Sequence, residues 1–213
     1  MLVKEIMSKN PVTIGPLAKL RSLHNLMRAN KIRHVPVVKN GKLIGIVTER
    51  DIRYAMIPKK IPGKKIPRGW NLDHLKVMDI MTKDSFTILQ DAHVEDAAKI
   101  IYGNRIGALP VMKGNKMVGI ISVMDLLGVF IEMMGMLQNS SRIDILMPKS
   151  QASMDKAASL IKKNNGHIIS VGISPYPKNS KNSLYLFRLE SCNIKPIVRD
   201  IKGAGFKVTS AMA

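Results

Sequence analysis

The fold depends on a stretch that occurs twice, as Gly45-Ile46-Val47-Thr48-Glu49-Arg50-Asp51 and, 74 residues later, as Gly119-Ile120-Ile121-Ser122-Val123-Met124-Asp125. Each copy is typical of a buried strand that ends on a hydroxyl residue and runs into a helix, with a carboxylate three residues after the hydroxyl. A helix N-terminus has free backbone N–H groups and a partial positive charge, which suit a phosphate. An Asp at this place is suited to accept hydrogen bonds from ribose hydroxyls.

The same pattern has a purely structural interpretation. Thr48 or Ser122 as N-cap residue, followed by an acidic residue at the third helical position, is a capping box that stabilises a helix without binding a ligand. For a single copy the capping interpretation is favoured, because such caps are common. The duplication adds weight to the first, because both copies belong to a longer repeat.

The repeat extends over the first half of the chain. At the same offset Ile6-Met7 matches Ile80-Met81, Thr13-Ile14 matches Thr87-Ile88, and Pro36-Val37 matches Pro110-Val111, with no insertion between Val3 and Asp51. Each copy reads as a short strand, an amphipathic helix, two strands joined by a tight turn such as Asn40-Gly41, and a closing helix. Two copies with this long period indicate a duplicated module rather than a solenoid.

This β-α-β-β-α order resembles the cystathionine-β-synthase (CBS) domain, present as a tandem pair. The resemblance is carried by Ile6-Met7, Pro36-Val37-Val38, Gly45-Ile46-Val47-Thr48 and Asp51 with their counterparts in the second copy. It implies a pseudo-symmetric unit with two clefts that bind adenosine-containing ligands. It also implies a homodimer formed through helices, and the apolar helix that follows Asp125 fits such burial.

The resemblance places ligand contacts in both copies. Basic side chains of the first copy are expected near phosphates, whereas the second copy has Gly107-Ala108 in place of Arg33-His34 and should form a less basic cleft. The expected nucleotide-binding residues are Thr13, Ile14, Arg33, His34, Pro36, Thr48, Arg50, Asp51, Thr87, Ile88, Leu109, Pro110, Ser122 and Asp125.

The predicted organisation is an α+β chain of four segments. They are a first CBS repeat at 1–57, a basic Pro/Gly-rich linker at 58–76, a second repeat at 77–138 and a C-terminal tail at 141–213. The tail shows a β-α-β-β-α-β, ferredoxin-like pattern and resembles an ACT domain. ACT domains carry a glycine near the position of Ala152, so we expect the tail to serve docking or dimerisation rather than amino-acid sensing. The whole arrangement resembles the acetoin-utilisation family of the AcuB type, which is regarded as regulatory.

Composition narrows the function classes. The single cysteine excludes an internal disulfide, and the lack of a signal peptide or a long apolar run predicts a cytoplasmic protein without a membrane span. The net charge of +19 suits anionic ligands, but only 4% of the residues are aromatic and the excess charge is spread out, which disfavours nucleic-acid binding. No catalytic motif and no metal-ligand spacing of the histidines occur, so we expect neither an enzyme nor a metal site.

The sequence therefore predicts a regulatory, ligand-sensing protein that needs no cofactor. Its ligand is AMP, ADP, ATP or another adenosyl compound such as NAD or S-adenosylmethionine, and its further partners are a second copy and a regulated enzyme. The alternative is a basic scaffold that binds nucleic acid or an acidic partner and takes no small molecule.

Overall fold

The computed structural model describes residues 1–57, 72–174 and 181–213. It divides into two compact units, Met1–Leu126 and Leu127–Ala213, each of which is described by itself. Most of the predicted linker, residues 58–71, lies outside the described residues, and the part that follows begins with a 3-10 turn at Leu72–His74. In the described part no helix is long and apolar enough to cross a membrane.

The first unit repeats one set of elements. A four-residue helix α1 (Val3–Ile6) precedes the first set, and a 3-10 turn (Val77–Asp79) stands at the matching place before the second. The first set is β1 (Ser8–Lys9), α2 (Leu20–Asn30), β2 (His34–Lys39), β3 (Lys42–Thr48) and α3 (Glu49–Ala55). The second is β4 (Thr82–Lys83), β5 (Ile88–Leu89), α4 (Val94–Asn104), β6 (Ala108–Lys113), β7 (Lys116–Ser122) and α5 (Val123–Met133).

The offset of the sequence repeat is kept in the local backbone. Helices α2 and α4 both have 11 residues, and each is followed by a residue in the left-handed conformation, Lys31 with φ 53° and Arg105 with φ 52°. The predicted strand at Val12-Thr13-Ile14 is reduced to a single parallel bridge between Ile14 and Val37, whereas its counterpart forms β5 beside β6. The duplicated set of strands and helices predicted from the repeat is thus present.

The opening segment of each copy completes the sheet of the other copy. Strand β1 pairs with β7 of the second copy, and β4 pairs with β3 of the first, where Ile46 lies opposite Thr82. The cores follow the same exchange, because Val3 is buried in the second core and Val77 in the first. The two copies therefore form a single folded unit, and residues 82–86 of the second copy lie at the strand end of the first.

The second unit has the element order predicted for the tail. It contains β8 (Ser140–Pro148), α6 (Gln151–Lys163), β9 (Ile168–Ile173), β10 (Asn182–Glu190), α7 (Ile194–Gly203) and β11 (Lys207–Met212). The strands form one antiparallel sheet in the order β11-β8-β10-β9. The apolar faces of both helices pack against alternate residues of β8 and β10, in a core of Ile143, Ile145, Met147, Ala157, Ile161, Tyr185, Phe187, Leu189, Ile197 and Ile201.

Candidate functional site

A cavity of about 600 Å³ lies between the two copies, and we call it the first cleft. One wall comes from the start of β2, the end of β3 and the first turns of α3. The other comes from the second copy, from the segment around β4 and from the residues that join α4 to β6. The lining residues are Arg33, His34, Ile46, Thr48, Glu49, Arg50, Asp51, Arg53, Tyr54, Thr82, Asp84, Ser85, Phe86, Arg105, Ile106, Gly107 and Ala108.

The hydroxyl–carboxylate pair of each copy forms a helix cap. Asp51 Oδ2 accepts hydrogen bonds from the backbone N–H of Thr48 at 2.8 Å and from Thr48 Oγ1 at 2.7 Å, while Asp51 N–H donates to Thr48 Oγ1 at 3.3 Å. Ser122 and Asp125 make the same three bonds at 2.7, 2.7 and 3.4 Å. The capping interpretation is therefore confirmed in both copies.

The cap leaves part of Asp51 available for a ligand. Both cap bonds that the Asp51 carboxylate accepts go to Oδ2, and within the described residues Oδ1 has no hydrogen-bond partner. The backbone offers less than the sequence pattern predicted, because α3 has only seven residues and Glu49 N–H already donates to the Arg33 carbonyl at 2.9 Å. A phosphate in this cleft would therefore depend on side-chain donors more than on the helix N-terminus.

His34 lies at the seam between the two copies. The pairing of β2 with β3 sets it opposite Thr48, and its imidazole lies so close to Gly107 that a Cβ at that position would overlap Nε2. Burial lowers the pKa of His34 below its ordinary value and Arg33 lowers it further, while the nearby Asp51 carboxylate opposes the shift. This shift favours the neutral form of the imidazole.

Four arginines give the first cleft its charge. Glu49 Oε2 lies 3.6 Å from Arg33 Nε and Glu49 Oε1 lies 3.9 Å from Arg53 Nε, and these side chains are largely exposed. Arg50 Nη2 donates to the Tyr54 hydroxyl at 3.4 Å. Arg105, the left-handed residue that directly follows α4, also lines the cavity. Because exposed ion pairs are weak, an anionic group is able to compete with Glu49 for these guanidinium groups.

Two features of the cavity lining point toward an organic ligand. Ser85 Oγ is buried and has no hydrogen-bond partner in the described part of the chain, a situation that normally costs free energy. Phe86 and Tyr54 are 55% and 44% exposed although the chain has only four residues of each type. An unpaired hydroxyl beside exposed aromatic rings suits a ligand with both a polar rim and a flat ring.

The structure brings together five of the residues expected from the sequence, namely Arg33, His34, Thr48, Arg50 and Asp51. The other expected residues do not line this cavity. Thr13 and Thr87 are exposed elsewhere, and Ser122 and Asp125 cap α5. The remaining expected residues lie in strands or bridges of the sheets: Ile14 bridges to Val37, and Pro36, Ile88, Leu109 and Pro110 are buried.

Eight lining residues from the second copy were not expected: Thr82, Asp84, Ser85, Phe86, Arg105, Ile106, Gly107 and Ala108. Residues 82–86 reach the first copy through the exchange of opening segments, which a repeat pattern does not reveal, whereas residues 105–108 come from the connection between α4 and β6. Arg105 takes the left-handed conformation after α4, where glycine or asparagine is usual, so no local pattern indicated its place. In the described residues no group of three His, Cys, Asp or Glu side chains is placed to hold a metal ion.

Comparison with known proteins agrees with the repeat. The model of the family described as "CBS domain" matches residues 3–58 and again residues 77–132. A CBS domain-containing protein of Dictyostelium discoideum is 35% identical over 136 residues, which cover 63% of this chain and 94% of that protein. The inosine-5'-monophosphate dehydrogenase of Methanocaldococcus jannaschii is 34% identical over 125 residues, 58% of this chain but only 22% of the enzyme. CBS pairs thus occur both in short proteins and within enzymes.

Solved structures show the same architecture over the first unit. The CBS domain pair of protein MJ0100, in complex with 5'-methylthioadenosine and S-adenosyl-L-methionine, is 28% identical with a TM-score of 0.52, covering 61% of this chain and 95% of that one. A protein from Vibrio cholerae assigned to acetoin utilization (AcuB) is 28% identical with a TM-score of 0.53, covering 64% and 94%. The chain therefore belongs to the CBS domain family, with two CBS domains in tandem.

Proposed function

We propose that this chain is a non-catalytic regulatory protein that senses an adenosine-containing compound in the first cleft. The observation that carries the proposal is the combination, in a single cavity, of Asp51 Oδ1, the orphaned Ser85 hydroxyl, four arginines and two exposed aromatic rings. Each of these groups matches a different part of a nucleotide.

The match is chemical. A carboxylate oxygen accepts from ribose hydroxyls, a neutral imidazole and a serine hydroxyl exchange hydrogen bonds with a base or sugar, and an aromatic ring stacks on adenine. The guanidinium groups of Arg33, Arg50, Arg53 and Arg105 suit phosphate oxygens, which they bind in pairs. The carboxylates in the cavity lining that suit a cationic ligand are those of Glu49, Asp51 and Asp84, fewer than the four arginines. The cavity therefore favours AMP, ADP, ATP or NAD over S-adenosylmethionine.

A solved relative supports the ligand class. The CBS pair of MJ0100, 28% identical to this chain, was crystallised with two adenosyl compounds. In a regulatory protein such a ligand acts by preferring one of two arrangements of the chain, and the shift equals the difference between its affinities for them. We propose that the ACT-like tail transmits this change, by docking a regulated enzyme or by pairing two copies in a homodimer.

The test is thermal unfolding of the purified full-length chain with AMP, ADP, ATP, NAD, S-adenosylmethionine and several amino acids. A ligand present at about a hundred times its Kd, and bound only by the folded state, should stabilise the chain by roughly 2.7 kcal/mol. We expect such a rise with at least one adenosine phosphate and none with adenine-free phosphates such as pyrophosphate.

No rise with any adenosyl compound would overturn the proposal. It would instead favour the alternative, a basic scaffold that binds nucleic acid or an acidic protein, which the net charge of +19 allows. That alternative makes its own prediction, because phosphate contacts on a nucleic acid weaken steeply with added salt.

A further inference from the structure

Another cavity of the first unit, of about 500 Å³, lies at the far end of strands β2 and β3 from the first cleft. Strand β2 runs from His34, which lines the first cleft, to Lys39, which lines this cavity. At about 3.3 Å per residue the two sites are roughly 17 Å apart along the strand. We call this cavity the hairpin groove, and it is lined by Gly15, Pro16, Leu17, Ala18, Val38, Lys39, Asn40, Ile44, Met78 and Met81.

The hairpin groove exposes apolar side chains to water. Leu17 is 66% exposed and Met78 is 44% exposed, and only Lys39 among the lining residues carries a charge. Methionine side chains are flexible and fit apolar groups of varied shape. The volume of the groove lies within the range of roughly 300–1,000 Å³ in which proteins hold small molecules. The groove therefore suits a small, flexible, apolar group.

The second copy has an ion pair at the same place. At the offset of 74 residues Leu17 corresponds to Asp91. Met78 corresponds to Lys4, and the N–H groups of these two residues donate to matching carbonyls at 3.0 and 2.9 Å. Lys4 Nζ lies 2.7 Å from Asp91 Oδ1. Charged side chains thus meet in the second copy where apolar side chains line the groove of the first.

The first copy also lacks a carboxylate that the second copy places near its hairpin. The pKa of Asp91 is lowered, first by the hydrogen bond from Lys4 and further by the charge of Lys113. Lys113 corresponds to Lys39, whereas the position of Asp91 is taken by Leu17 in the first copy. Lys39 is therefore without the carboxylate that its counterpart has nearby.

Two pairs of lysines lie around the hairpin groove. Lys39 lies opposite Lys42 in the register of β2 and β3. Lys19, next to the lining residue Ala18, forms an isolated bridge with Lys76. Like charges directly opposite each other are destabilising, and among the described residues no ion pair involves any of these four lysines. The surroundings of the groove therefore favour an anionic group.

The backbone around the groove indicates which kind of apolar group fits. The carbonyl of Pro16 accepts a hydrogen bond from Met78 N–H at 3.0 Å. The carbonyl of Ala18 accepts from Val77 N–H, and Val38 N–H donates to another carbonyl, both at 2.9 Å. A bound peptide would bring its own N–H and C=O groups, which need partners when buried. An alkyl chain needs none, so this lining favours an alkyl chain over a peptide.

We propose that the hairpin groove binds a free fatty acid. The alkyl chain lies against Leu17, Met78 and Met81, and the carboxylate pairs with the ammonium group of Lys39. The ligand thus supplies to the first copy the carboxylate that Asp91 supplies to the second. This site goes beyond the proposed function, because it lies at the opposite end of β2 from the first cleft and takes a different class of ligand.

The experiment is calorimetric titration of the full chain with dodecanoate below its critical micelle concentration. The comparison ligands are dodecyltrimethylammonium, which has a similar chain and the opposite charge, and acetate, which has the head group alone. We expect dodecanoate to bind at least about tenfold more tightly than either. Equal affinity for the anionic and the cationic amphiphile would overturn the proposal, because it would show adhesion of a chain without recognition of its charge.

Variants of the groove test the assigned contacts. Lys39→Gln should weaken the binding of dodecanoate about tenfold, because it removes the charge beside the carboxylate. Lys113→Gln is the matched control at the equivalent position of the second copy and should keep the wild-type affinity. Leu17→Asp combined with Met78→Lys installs the ion pair of the second copy and should abolish binding. An equal loss in the two glutamine variants, or unchanged binding in the double variant, would overturn the proposal.

Two further measurements separate this inference from the proposed function and from membrane binding. Lys39→Gln should bind the adenosine ligand of the first cleft as the wild type does, so the two proposals fail separately. Cosedimentation with phosphatidylglycerol vesicles tests a membrane surface as the source of the acyl chain. Binding to these vesicles without binding of free dodecanoate would overturn the proposal.

Discussion

The starts of α3 and α5 carry the same cap in different surroundings. Thr48–Asp51 and Ser122–Asp125 make the same three hydrogen bonds with nearly equal lengths. The residues between hydroxyl and carboxylate differ, however, since α3 has Glu49 and Arg50 where α5 has Val123 and Met124. The cap itself stabilises a helix in either copy, and its neighbours determine whether it also faces a charged ligand.

The difference continues around the first cleft. At the offset of 74 residues, several polar or aromatic lining residues outside the cap have counterparts without the same chemistry. Arg33 corresponds to Gly107, His34 to Ala108, Ser85 to Pro11, Phe86 to Val12 and Asp84 to Asn10, while Arg105 keeps its charge as Lys31. The two copies therefore share a scaffold and differ in the chemistry of the residues around the cap.

The largest expected effect is on the free energy of unfolding, at the two glycines that lie against the exchanged opening segments. A Cβ on Gly45 would overlap the Thr82 backbone carbonyl, whereas a Cβ on Gly119 would meet the flexible thioether of Met7 and lie 3.1 Å from the Ser8 carbonyl oxygen. We expect Gly45→Ala to lower the free energy of unfolding by about 3 kcal/mol and Gly119→Ala by about 1 kcal/mol. Urea denaturation measures both. Equal losses would contradict the asymmetry of the two crossings.

The next effect concerns the ligand wall. Ser85→Ala removes a buried hydroxyl that has no partner, so the free protein should be as stable as the wild type or more stable. Affinity for the adenosine ligand should fall about tenfold, which corresponds to about 1.4 kcal/mol. Titration calorimetry and thermal unfolding give the two numbers. Ser22→Ala, on the exposed surface of α2, is the control and should change neither. A stability loss without an affinity loss would mean that Ser85 serves only the fold.

A smaller effect is the dependence of stability on pH that comes from His34. Its pKa is lowered in the folded state by burial, so below about pH 6.5 the unfolded chain binds more protons at this group than the folded chain does. The free energy of unfolding should therefore fall as the pH drops from about 6.5 through the lower, folded-state pKa.

The matched variant is His34→Ala, which installs the residue of the second copy. Subtracting its free energy of unfolding from that of the wild type at each pH isolates His34 from the carboxylates. We expect this difference in the free energy of unfolding to decrease as the pH falls. A difference that grows toward acid would require a raised pKa and would contradict the assigned burial.

Much of the fold was predictable because the repeat and the periodic pattern of the tail can both be read directly along the sequence. The 74-residue repeat predicted two similar sets of strands and helices, and the pattern of the tail predicted the order β-α-β-β-α-β. The exchange of β1 and β4 was not predictable, since Ile6-Met7 and Ile80-Met81 are interchangeable in the sequence pattern. A core formed within each copy and one formed across copies have the same hydrophobic periodicity.

The site was predictable on one wall only. Thr48, Asp51, Arg33, His34 and Arg50 adjoin the cap in sequence or across the β2–β3 pair, so local reasoning reaches them. Ser85 and Phe86 arrive with the exchanged segment and Arg105 with the end of α4, so tertiary contacts place all three there. The side chains of Ile88 and Leu109 lie in the second core, and the assignment of these residues as ligand contacts stays a prediction.

The most direct test of the central claim is calorimetric titration of the wild type, Asp51→Asn and Asp125→Asn with the adenosine ligand that gives the largest thermal rise. Both variants keep an acceptor oxygen for the cap and replace the other oxygen with an amide donor, so equal melting temperatures are expected. We predict that Asp51→Asn weakens binding at the first cleft about tenfold or more, and that Asp125→Asn retains it. Wild-type affinity in Asp51→Asn, or an equal loss in both variants, would contradict the assignment of the first cleft as the ligand site.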